Sequence, residues 1–192
     1  VKSVKQPRSV AHGFPRLRLL VVAGLSCLLL TPIAPIFLPH TGAPIQADVI
    51  LVLGPPEPSR IALAEDLLSE GYSERLVVSA SDTGGPYFLQ TLPICNESHD
   101  FKVLCAQSQP FTTQGEVGLL NDLAERNGWD TAIVITFTPH VSRTQLYLDR
   151  CFKGTAHVVA DDRPLTPAEA AYEYVYQTGA FTKAFLSTSG CA

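Results

Sequence analysis

Residues 48 to 54 read Asp48-Val49-Ile50-Leu51-Val52-Leu53-Gly54. An unbroken apolar run closed by glycine is the pattern of a strand covered on both faces, because helices on either side of a parallel sheet leave neither set of alternating side chains in water. The same reading places strands at Arg75 to Ala80, Lys102 to Ala106, Thr131 to Thr136 and His157 to Ala160. Helical patterns fall between them. One runs from Pro58 to Gly71, with Ile61, Ala64, Leu67 and Leu68 on one face. Another covers Thr113 to Asn127 and closes at Gly128, and a third starts at Pro139 behind a Thr138 cap and runs to Phe152. Thr166-Pro167-Ala168-Glu169 is a capping box opening a last helix that bears Tyr172, Tyr176, Phe181 and Phe185. Ser81 to Glu97 is rich in Gly, Pro and Ser and holds no full helix. Strands alternating with helices predict a doubly wound α/β domain with a five-stranded, mainly parallel sheet. Order 3-2-1-4-5 places the reversal between strands one and four, beside Gly54 and Thr136.

The charges divide the chain. Residues 1 to 47 carry Lys2, Lys5, Arg8, Arg16 and Arg18 and no acid, so all 18 Asp and Glu residues lie at Asp48 or beyond. Against them stand nine basic residues, a formal charge of −9 that argues against a nucleic-acid partner. Leu19 to Leu38 holds no charge over 20 residues, the length of helix that crosses about 30 Å of hydrocarbon. The organisation expected is a basic cytoplasmic N-terminus at 1–18, a transmembrane anchor at 19–38, a linker at 39–46 and an extracytoplasmic domain at 47–192, oriented by the basic flank. A cleaved signal peptide is the rival reading, and Ile45-Gln46-Ala47 is a poor cleavage site for it. Pro32 and Pro35 kink or end the span near its exit.

Cys95, Cys105, Cys151 and Cys191 fall in the part expected outside, where an even number favours disulfides. Four cysteines allow three pairings. Cys95 with Cys105 would bracket one loop, and Cys151 with Cys191 would staple the C-terminus to a helix end. No Cys-x-x-Cys or His-x-x-x-His spacing supports a metal, and no cofactor is expected.

The polar residues that carry chemistry sit at element ends, where an open α/β sheet builds its crevice. Thr113 and Glu116 open one helix, and a capping box explains both as well as a site does. His140 and Arg143 open another. There the helix dipole disfavours a charged imidazole, and the guanidinium is placed to clamp a phosphate or carboxylate or to pair with Glu116. Arg60 has the same two readings. With Gly54 and the hydroxyls of Ser79, Thr113 and Thr136, these groups form a donor-rich pocket suited to phosphate, with Glu116 and His140 as general acid and base.

The order of these residues resembles the SanA/ElyC/YdcF family of bacterial envelope proteins across residues 47 to about 160. The matching features are Asp48 to Gly54, Arg60 on a helix ending Glu70-Gly71-Tyr72, Leu76 to Ser79, Thr113 with Glu116, and Thr136 with His140 and Arg143. Cys105 and Pro110 to Glu116 are similar to its actinobacterial members. The resemblance implies a Rossmann-like three-layer α/β/α fold, often behind one membrane anchor, and a setting in peptidoglycan or lipid-carrier metabolism rather than a defined reaction. Pro55-Pro56 stands where the family often has a second glycine, Ser79-Ala80-Ser81 where it often has Ser-Gly-Gly, and Thr136-Phe137 where Thr-Ser is common. Pro139 replaces a usual aromatic.

The expectation is therefore a membrane-anchored envelope protein with an anion-binding crevice, a hydrolase or transferase acting on a phosphorylated or lipid-linked intermediate. A non-catalytic binding or scaffold protein is the alternative. Nucleotide or S-adenosylmethionine binding is a third, weakened because Gly54-Pro55-Pro56 lacks the Gly-x-Gly-x-x-Gly turn.

Overall fold

The computed structural model describes residues 15–191. The expectation for the N-terminus therefore falls largely on Lys2, Lys5 and Arg8, which lie outside the described residues. Five strands form one sheet: β1 (Val49–Val52), β2 (Arg75–Ser79), β3 (Lys102–Ala106), β4 (Thr131–Phe137) and β5 (Thr155–Asp161). Their order is β3-β2-β1-β4-β5 and every pairing is parallel, the expected doubly wound, Rossmann-like arrangement. Val52 pairs with Val78 on one side and Ile135 on the other. The three central strands thus end nearly level, and the residues that follow them emerge side by side.

Alternation along β1 feeds two cores, one on each face of the sheet. Val49, Leu51 and Leu53 pack with Val117 and Leu120 of α5 (Thr113–Asn127) and with Tyr147 and Leu148 of α6 (Val141–Cys151). Ile50 and Val52 pack with Ala64, Leu67 and Leu68 of α3 (Pro58–Ser69) and Ile94 of the short α4 (Pro93–Asn96). All four residues of β1 are buried, and each such side chain contributes about 1.5–3 kcal/mol on burial. The last helix, α7 (Pro167–Leu186), opens with the expected reciprocal Thr166–Glu169 capping box.

Two boundaries differ from expectation in ways that bear on the site. Thr138 makes no capping bond; Thr138–His140 is instead a single 3-10 turn ahead of α6, with Pro139 in its first turn. β5 extends to Asp161, which pairs in register with Phe137 and brings a carboxylate to the strand end.

The apolar segment is divided. Residues Arg18–Phe37 are long and apolar enough to cross a membrane, with a mean hydropathy of 2.3. They form α1 (Pro15–Leu30) and α2 (Ile33–Phe37), parted at Thr31 and Pro32, where proline lacks the N–H that would continue the ladder. From Arg18 onward α1 is exposed all round. By contrast α2 is docked on the domain: Ile36 is fully buried, and Ser142 Oγ donates to the Pro35 carbonyl at 2.7 Å. The Tyr174 hydroxyl donates to the Leu29 carbonyl. Residues 38–47 lack helix and strand, but Gly42 N–H donates to the Val158 carbonyl at 3.0 Å. Both expected disulfides are present, Cys95–Cys105 tying α4 to β3 and Cys151–Cys191 tying the end of α6 to the C-terminal segment. Cys27 is a free, exposed thiol on α1.

Candidate functional site

The carboxyl ends of β1, β2 and β4 and the N-termini of α3, α5 and α6 face one crevice, an open cavity of about 680 Å³ also lined by α7. Gly54, Arg60, Thr113, Glu116, His140 and Arg143 all line it. Ser79 and Thr136 do not; both are fully buried behind the wall.

Glu116 does not cap its own helix. The N-cap of α5 is Thr112, whose hydroxyl accepts from Gly115 N–H at 3.3 Å. Glu116 reaches across to β1 instead, where Oε1 accepts from Gly54 N–H at 2.7 Å. Glycine at 54 eases this approach, since a Cβ there would lie 3.1 Å from the Ser79 carbonyl and 3.3 Å from Glu116 Oε1, tight contacts that would push the neighbours back by a few tenths of an ångström. Burial raises the Glu116 pKa, while Ser79, Gly54 N–H and the charges of Arg143 and Arg60 pull it down. Ser79 faces this carboxylate, yet among the described residues its hydroxyl completes no hydrogen bond of good geometry.

With Thr112 serving as the cap, Thr113 Oγ turns to His140 Nε2 at 3.0 Å. The other ring nitrogen, Nδ1, lies 2.8 Å from Thr136 Oγ. His140 is 4% exposed, and burial followed by the charges of Arg143 and Arg60 holds its pKa well below the ordinary 6.5. Both effects favour the neutral imidazole, and both ring nitrogens are engaged by threonines. Thr113 thus stands between one ring nitrogen and the cavity, which His140 itself also lines.

The two arginines, equal in the sequence, differ in their surroundings. Arg60 donates to the Pro55 carbonyl at 2.6 Å, lies over the Phe137 ring at 4.7 Å and is paired with Asp161 at 3.5 Å and Glu57 at 3.8 Å. Its charge is compensated, and it fixes the Pro55-Pro56 loop. Arg143 has no carboxylate within 4.0 Å among the described residues, so of its two readings the ion pair with Glu116 is absent. Its Nε donates to Gln177 Oε1 at 2.9 Å and its Nη1 to Thr113 Oγ at 2.9 Å; among the described residues Nη2 has no hydrogen-bond partner. Tyr176 lies beneath the guanidinium at 5.9 Å. Burial lowers the Arg143 pKa, opposed chiefly by Tyr176 and Tyr147 and then by Glu116 and Glu173.

Sequence reasoning missed Asp161, Gln177, Tyr176 and Phe137. Asp161 was within reach of it, as an acid just past an apolar strand on the carboxyl side of the sheet. Gln177 left no signal, because it is distinguished only by α7 folding over the crevice. Among the described residues no group of three or more His, Cys, Asp or Glu is placed to hold a metal ion.

Fold and site together define a doubly wound α/β protein with an arginine-bearing crevice at the switch point of its sheet. Comparison with protein-family models, characterised proteins and solved structures finds no match.

Proposed function

We propose that the chain is a membrane-anchored envelope protein that binds a phosphorylated or similarly oxyanionic ligand in this crevice and acts on it as a hydrolase or transferase. Arg143 carries the reading. A buried guanidinium with no carboxylate partner is costly by several kcal/mol, and Arg143, with Nη2 unengaged among the described residues, lines a cavity at the N-termini of α5 and α6, where backbone N–H groups favour negative charge. An oxyanion supplies the missing partner. Glu116, inclined by burial to keep its proton, suits a general acid for the leaving oxygen. The apolar α1 and the two disulfides support an extracytoplasmic domain held at a membrane, and the basic flank of α1 supports a cytoplasmic N-terminus. The SanA/ElyC/YdcF resemblance supports a bacterial envelope setting and a phosphorylated or lipid-linked ligand.

The non-catalytic alternative has one observation in its favour, the engagement of both His140 nitrogens. Titration of inorganic phosphate and pyrophosphate into the detergent-solubilised chain tests the binding. Arg143→Met is expected to weaken it roughly 10- to 100-fold, the range for losing one hydrogen bond to a charged group. Undetectable binding by the wild type at millimolar anion, or an unaffected variant, rejects the crevice as an anion site. Turnover of an aryl phosphate that falls in Glu116→Gln while phosphate binding is retained identifies an enzyme; binding without turnover in the wild type identifies a binding protein.

A further inference from the structure

The hydrogen bonds around His140 can be counted to the last proton. Thr136 Oγ is fully buried and has one partner among the described residues, His140 Nδ1 at 2.8 Å. A hydroxyl carries one proton to donate and two lone pairs. If Nδ1 held a proton and donated it to Thr136, the threonine proton would be buried with nowhere to go, at a cost of about 1–3 kcal/mol. The satisfied arrangement has Thr136 O–H donating to Nδ1, which leaves the imidazole proton on Nε2, since the hydrogen bond at one ring nitrogen sets the other. Nε2–H then donates to Thr113 Oγ at 3.0 Å. Arg143 Nη1 donates to the same oxygen at 2.9 Å. Both lone pairs of Thr113 are filled, so its own proton must point away from them. Thr113 is 7% exposed and lines the cavity, and its hydroxyl has no acceptor among the described residues.

We infer that Thr136 and His140 act as positioning residues that lock Thr113 as a one-way donor, so that the crevice reads an unprotonated oxyanion oxygen through Thr113 O–H beside Arg143 Nη2. The inference rests on the anion-crevice reading for its ligand but not for its tautomer. It assigns His140 no proton transfer: the ring is a spacer whose polarity Thr136 sets. An oxygen bearing a proton, whether P–OH or a sugar hydroxyl presented donor-first, meets two donors at this point and is disfavoured, because each opposed donor leaves a polar group unpaired. The class selected is the dianionic end of a phosphomonoester, or sulfate, in preference to a neutral polyol.

The charged and titratable groups facing the ring leave this polarity intact. Arg143 on α6 and Arg60 on α3 disfavour an imidazolium. Glu116 on α5 has its Oε1 occupied by Gly54 N–H. Glu173 on α7, which also lines the cavity, has Oε2 engaged by Gln177 Nε2 at 2.9 Å.

The test is nitrogen NMR of the full-length chain, histidine-labelled in detergent micelles at pH 7 without anion, with the His140 signal identified by its absence in His140→Gln. The expected spectrum shows a protonated Nε2 and an unprotonated Nδ1, moving to a tautomer mixture in Thr136→Val. A protonated Nδ1, or an imidazolium, overturns the inference. For the ligand end, inorganic phosphate at pH 8 is titrated into Thr113→Ser and Thr113→Val. Serine is expected to bind as the wild type does, and valine about tenfold more weakly. Equal binding by valine, with its fold verified by an unchanged Trp129 fluorescence spectrum, overturns the donor role. Absence of phosphate binding by the wild type refutes the anion crevice and Thr113's part in it, whatever tautomer the spectrum shows.

Discussion

Replacing His140 by Gln should change the acid limb of the stability curve in a way that can be worked out beforehand. The folded protein holds this imidazole neutral, with a pKa well below 6.5, because it is buried and faces two guanidinium groups. The unfolded chain binds a proton at an ordinary histidine pKa. Since the folded pKa is depressed, the unfolded state takes up its proton first as the pH falls, and the wild type loses about 1.4 kcal/mol of stability per pH unit below about 6.5. Between pH 6.5 and 5.0 this amounts to roughly 2 kcal/mol. Glutamine has no such term. At pH 7.5 it begins about 1–2 kcal/mol less stable, having lost the two threonine hydrogen bonds, and the curves should converge or cross near pH 5. Glu116 contributes with the opposite sign: its raised pKa stabilises fully below about 4.5 and is lost as the pH rises through the folded value. That term is common to both proteins and drops out of the difference. The assay is urea unfolding of the detergent-solubilised chain followed by its single tryptophan, Trp129, which packs against the core. Parallel curves from pH 7.5 to 5.0 would refute the neutral, buried imidazole.

Three further outcomes follow from other contacts. Glu116→Gln should be stability-neutral or better at pH 8, because the amide oxygen still accepts from Gly54 N–H without a buried charge; Glu116→Ala should lose about 1–3 kcal/mol in the same unfolding measurement by orphaning that donor. Gly115→Ala would set a Cβ 2.0 Å from the Pro110 carbonyl oxygen, and displacing the backbone should cost about 3 kcal/mol, read as a lowered urea midpoint. Exchanging both Cys151 and Cys191 for serine opens a loop with a sequence separation of 40. Loop-closure entropy puts the loss near 4 kcal/mol, and amide exchange at residues 187–191 should accelerate.

Periodicity and punctuation were enough to find the sheet. β3 and α5 occupy the residues their composition indicates, and the order of strands follows from alternating elements and right-handed crossovers. Both disulfides were legible from which loops the cysteines bracket. The polar network was not. Sequence marks Thr113 and Glu116 as a helix start, but a one-residue shift of the cap to Thr112 decides that Thr113 faces histidine and Glu116 faces Gly54. Arg60 and Arg143 look alike until β5 brings Asp161 to the first and α7 brings Gln177 to the second. Those partners lie 101 and 34 positions away, beyond any local pattern. Hydropathy likewise cannot tell that the end of the apolar stretch, around Ile36, packs on protein.

The docking of α2 has a mechanical meaning. If α1 lies in a bilayer, the domain is joined to it through a helix already seated on α6 and α7 and through the Tyr174–Leu29 contact, so it would not swing on a tether. Tumbling would be that of the membrane patch, and the crevice would keep one tilt and one height above the lipid. Encounter with any partner confined to the same leaflet would become a two-dimensional search with a preset angle of approach.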